Sequence, residues 1–151
     1  MRILLSSLLL SVVFSSGLVA SAQTRSTPNR QVAAMVEALR KAAPRTNNPN
    51  DGLYSDWQVK PETARGWSKQ CLGRDVTPTQ FANSPAIARQ VITCVVQDEF
   101  SKRLRATANN EMKTVQSVAC WWMTGQYQGC DRGATATYVQ QVTRFYQQSR
   151  P

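Results

Sequence analysis

A chain of 151 residues with 18 Lys and Arg against 9 Asp and Glu carries a net charge of +9 and contains no histidine. The missing imidazole excludes Ser-His-Asp and Cys-His nucleophilic catalysis and nearly all catalytic zinc sites. The cation excess predicts attraction to anionic partners: wall polymers, lipopolysaccharide, acidic proteins or nucleic acid.

Residues 1–22 read as a cleaved signal peptide outside the fold. Arg2 supplies the positive charge, Ile3 to Phe14 form an apolar run broken only by serines, and Ala20-Ser21-Ala22 is a small-residue cleavage site. About twelve apolar residues fall short of the roughly twenty that span a bilayer. Among the charged residues cleavage removes only Arg2, leaving 17 − 9 = +8. The first cysteine is Cys71, so no lipidated cysteine follows the cleavage site. The expectation is a soluble, exported chain, periplasmic or extracellular, with no transmembrane segment after processing. It is long enough for one core.

Residues 23–52 read as an N-terminal helix and a linker, and 53–151 as a four-cysteine helical domain. After Thr27-Pro28, the spacing of Val32, Met35, Val36 and Leu39 predicts a helix over Asn29–Ala43 that Pro44 ends. Arg45 to Gly52 is a run of turn formers. Leu53 to Val59 fits either an extended segment or a first turn capped by Ser55. Pro61-Glu62 opens a short helix ending near Leu72, with Gly73 as its cap, and places Trp67 and Cys71 on one face. Thr77-Pro78-Thr79-Gln80 is a capping box for a further turn or two reaching Phe81.

Ser84-Pro85 then opens a long helix, Pro85–Thr107. Ala108-Asn109-Asn110 interrupts it, with Asn110 capping a second helix over Glu111–Thr124 that Gly125 closes. The last helix, Ala134–Gln148, sets Tyr138, Val139, Val142, Phe145 and Tyr146 on one apolar stripe. No strand signal stands out. The fold class is all-α, a small disulfide-stapled bundle of about four to five helices.

Four cysteines in an exported chain imply two disulfides. Gaps of 22, 25 and 9 residues do not suit zinc. On its helix Cys120 lies roughly 120° from the stripe of Met112, Val115, Val118, Ala119 and Trp122. That angle directs it away from Cys94 and towards a segment folding over the polar face, which Gly125 to Cys130 can supply. The favoured pairing is Cys71–Cys94 with Cys120–Cys130; the alternative is Cys94–Cys120 with Cys71–Cys130.

With histidine absent and cysteines oxidised, only carboxylate chemistry such as glycan hydrolysis remains open to catalysis. Glu99, on the Ala88, Ile92 and Val95 side of its helix, is the candidate general acid. Pairing with Lys102 or Arg103, three and four residues on, accounts for it as well. Trp121, turned about 100° from the core-facing Trp122, is a candidate binding residue with Tyr127 and Arg132, by sugar stacking or as a protein hot spot. Lys102, Arg103 and Arg105 form a cationic cluster suited to anions. No phosphate loop, metal set or cofactor motif is present, and no motif points to specific nucleic-acid recognition. The sequence reads as an exported basic helical binding protein (envelope accessory, inhibitor or polyanion binder) with an envelope protein or anionic polymer as partner. A carboxylate-dependent wall hydrolase centred on Glu99 is the alternative.

Overall fold

The computed structural model describes residues 27–46, 48 and 51–150, so the signal peptide expected over 1–22 lies outside the described residues. Among these there are six α-helices and no named strand: α1 Thr27–Ala42, α2 Pro61–Leu72, α3 Pro78–Asn83, α4 Pro85–Ala106, α5 Glu111–Thr124 and α6 Gly133–Ser149. The chain is all-α, and no described helix is long and apolar enough to cross a membrane.

Local chemistry sets most boundaries. Thr77 and Gln80 close a reciprocal capping box on α3, and Ser84 Oγ accepts from the Ile87 amide to start α4. Asn110 Oδ1 accepts from the Lys113 amide at 3.0 Å to start α5. Between α4 and α5 the chain turns through Ala108 and Asn109, both with positive φ. Gly73 and Gly125 end α2 and α5 in the left-handed conformation.

The segment before α2 is neither a plain strand nor a helical turn. Tyr54 and Val59 form an isolated antiparallel bridge, and Ser55 and Gln58 between them take positive φ. This tight loop pushes Trp57 into the core, where it is 3% exposed and its indole N–H donates to the Val36 carbonyl at 2.9 Å.

α4 is the central helix. Ala88, Val91, Ile92, Val95, Val96, Glu99 and Phe100 form its buried stripe, and α1, α2, α3 and α5 all pack against it. α1 also packs along α6, placing Met35, Val36 and Leu39 in the same core as Tyr138, Val142 and Tyr146. Glu37 ties the outside of the α1–α4 contact, bonded to Arg40 and reaching Arg89 of α4 at 3.4 Å.

Disulfides join Cys71 of α2 to Cys94 of α4, and Cys120 of α5 to Cys130 in the loop before α6. These are the pairs favoured by the helical angles. Loop closure stabilises the fold by about 3 kcal/mol for each. Two disulfides fit an oxidising environment.

Candidate functional site

The aromatic residues of α2, α5 and the following loop meet in a continuous stack. Trp67 lies against Trp122 at 5.2 Å and, nearly parallel, against Trp121 at 6.1 Å between ring centres. Trp121 stacks in turn on Tyr127 at 6.4 Å and 17°. The Arg103 guanidinium caps the series, 4.4 Å from the Tyr127 ring centre. Such contacts are directional and hold ring orientation as well as burying area.

Tyr127 is fixed from three sides. Its hydroxyl donates to Glu99 Oε2 at 2.5 Å, its carbonyl accepts from Ser117 Oγ at 3.0 Å, and the Cys120–Cys130 bond closes its loop. The bond to Glu99 pushes the Tyr127 phenol pKa upward, with burial adding to it. Lys102 bridges Asp98 at 2.6 Å and Glu99 at 3.3 Å, and those bonds, Asp98's first, raise the ammonium pKa. Glu99 therefore sits in the core stripe with both oxygens engaged. The adjacent carboxylate, Asp98, lies on the exposed side of α4. This arrangement orients Tyr127.

On one side of the stack, a groove of about 480 Å³ opens between the Leu53–Thr63 segment, α2, the end of α5 and α6. The chain has four tryptophans, and Trp57, Trp67, Trp121 and Trp122 all line this groove. Trp57 is its buried floor, with Arg89 over its ring at 5.3 Å. The other three are half-buried and present surface. Met123 on the rim is 41% exposed, the only exposed large apolar side chain among the described residues. Among the described residues Lys60 is the only charged one lining the groove. Tyr138 also lines it, 6% exposed, with a hydroxyl that has no hydrogen-bond partner among the described residues. Burial drives the Tyr138 phenol pKa up.

The structure brings Trp121, Tyr127 and Arg103 together and connects Lys102 to them through Glu99. Arg105 stands exposed in the last turn of α4, and Arg132 faces Asp131 at 3.8 Å on the surface. Sequence reasoning missed Lys60, Met123 and Tyr138 at the groove and took Trp122 as core alone. Trp67 shares a face of α2 with Cys71, yet Cys71 joins α4 while Trp67 packs on Trp121 and Trp122 of α5, so that spacing carried no signal for the groove. Among the described residues no cluster of three or more His, Cys, Asp or Glu is placed to hold a metal.

No protein-family model, no curated protein and no solved structure matches this chain. Its function has to be argued from these side chains.

Proposed function

We propose that this chain is an exported, non-catalytic binding protein that docks an acidic partner protein in the tryptophan-lined groove. The convergence of all four tryptophans on one groove with a single cation at its edge carries the reading. Interface cores are enriched in Trp, Tyr, Met and Arg and poor in acids. The half-buried indoles and Met123 offer seating for one apolar anchor side chain. Lys60 and the net charge of +9 on the full chain, or +8 after removal of Arg2 (17 − 9), complement an acidic rim and speed encounter. An inhibitor or a subunit of an envelope complex fits this chemistry. Glu99, held by Tyr127 and Lys102, serves the shape of the surface.

The disulfide-intact chain serves as bait for envelope extract and medium, and any captured protein is purified and titrated against it by tryptophan fluorescence. One discrete acidic protein should bind and shift the emission. Met123→Arg, an exposed change that spares the core, should weaken binding by roughly tenfold or more, as expected for a central apolar contact. A heterogeneous polymer released by salt, or a captured protein indifferent to Met123→Arg, sinks the reading.

A further inference from the structure

On the other side of Tyr127 lies a second depression, of about 500 Å³, between the end of α4, the polar face of α5, the disulfide loop and the start of α6. We infer that it binds an anionic sugar, a polyhydroxyl ring bearing a carboxylate or phosphate, with the Arg103 guanidinium as the anion receptor. This site is separate from the tryptophan groove and stands independently of the function proposed there.

Arg103 is half-buried, and its Nε is shut off from solvent with no hydrogen-bond partner among the described residues. The arginines at 40, 65, 89, 132 and 150 each face a carboxylate within 4.0 Å, whereas among the described residues Arg103, like the exposed Arg74 and Arg105, has no such bridge. The nearest acid on its own helix, Glu99, is already engaged by Tyr127 and Lys102. Arg103 instead sits over the Tyr127 ring, its guanidinium carbon 4.4 Å from the ring centre. A guanidinium held over a ring can still present paired N–H groups to a planar or tetrahedral oxyanion and grip it with two parallel bonds.

The rest of the lining suits the body of such a ligand. Lys113 adds a second cation, and Asp131 at the margin faces Arg132. Gln116, Gln128 and Gln140 line the wall, and each amide both donates and accepts, as sugar hydroxyls require. The volume falls within the range of small-molecule sites. The receptor is also preorganised, because Glu99, Ser117 and the Cys120–Cys130 bond fix Tyr127, and Tyr127 fixes Arg103.

The test is a ¹H–¹⁵N NMR titration of the disulfide-intact chain with glucuronate, a glucose phosphate, glucose and inorganic phosphate. Glucuronate or the glucose phosphate should shift the Gln116, Gln128 and Gln140 side-chain amides and Arg103 Nε–H saturably. The tighter of the two tells whether the anion is a carboxylate or a phosphate. Glucose and inorganic phosphate should bind about tenfold more weakly, each lacking half of the ligand. Arg103→Lys keeps the charge and should weaken the acidic sugar about tenfold by losing the fork, while Arg74→Lys, exposed and outside both depressions, leaves it unchanged. Lys113→Gln, an exposed change, should weaken it severalfold. No saturable shift with either acidic sugar overturns the proposal. So does an equal response to inorganic phosphate, or wild-type affinity in Arg103→Lys.

Discussion

Tyr138 and Tyr146 both lie buried on α6, yet replacing each with Phe should move stability in opposite directions. The Tyr138 hydroxyl is buried without a partner among the described residues, whereas the Tyr146 hydroxyl donates to Glu111 Oε1 at 2.6 Å. An unpartnered buried polar group costs roughly 1–3 kcal/mol. Removing it relieves most of that cost, and the small void left behind offsets a few tenths of a kcal/mol. Tyr138→Phe should therefore stabilise by about 1 kcal/mol, raising Tm by roughly 3–5 °C for a chain of this size. Tyr146→Phe should destabilise by roughly 1.5–3 kcal/mol, since it deletes a bond to a carboxylate. The assay is thermal unfolding followed by circular dichroism near neutral pH, where burial, by raising both phenol pKa values, keeps both hydroxyls protonated. A fall in Tm for Tyr138→Phe would falsify this reasoning, since it means the hydroxyl already has a partner.

Acid stability should depend on Glu37, whose carboxylate pKa is lowered chiefly by its hydrogen bond to Arg40, with Arg89 adding to it. A depressed carboxylate stabilises above its unfolded pKa, and that contribution is lost as pH falls through the folded value. Wild-type stability should therefore drop below about pH 4.5, and Glu37→Gln should flatten this limb in urea titrations; identical limbs exclude Glu37. In the α4–α5 turn, Ala108 sits at φ 51. Ala108→Gly should relieve left-handed strain for a net gain of about 0.5 kcal/mol. Asn110→Ala should lose a cap worth about 1 kcal/mol. Urea midpoints at unchanged slope measure both, and a shared sign counts against the turn geometry. Replacing Cys120 and Cys130 together with Ala should cost about 3 kcal/mol and weaken the near-ultraviolet signal of the Trp121–Tyr127 stack. An unchanged signal means the loop is held without the bond.

The helices were legible because their signals are local. Asn110, the Thr77–Gln80 box and Gly125 act on backbone groups within one turn of themselves, and the α6 stripe repeats at helical spacing. The disulfide pairs followed from the angle of Cys120 on its own helix. The Leu53–Val59 loop was not legible, since Ser55 and Gln58 adopt positive φ without the glycine or asparagine that usually announces it. The groove was hidden for another reason. Trp57 and Trp67 reach Trp121 and Trp122 only after the loop, α2 and α5 have packed, and no spacing along the chain encodes that meeting. Glu99 shows both halves: its place in the α4 stripe could be read, as could Lys102 as a partner, while Tyr127, 28 residues away, could not.

The packing of α1 along α6 has a consequence for how the chain reaches this state. Among the described residues the first and last helices, α1 and α6, bury one another, so the core cannot close until α6 is available. Neither disulfide reaches α1: one bond ties α2 to α4, and the other ties α5 to the loop before α6. Oxidation can thus fasten the middle of the chain while its two ends are still apart. The closing step is then a long-range search by two amphipathic helices, slow relative to the local hairpins and driven chiefly by apolar burial, with the Glu37–Arg89 pair and the Trp57–Val36 hydrogen bond adding to it. During that interval the faces carrying Leu39 and Val142 stand open to solvent, which makes the unjoined ends the part of the molecule most exposed to aggregation and proteolysis.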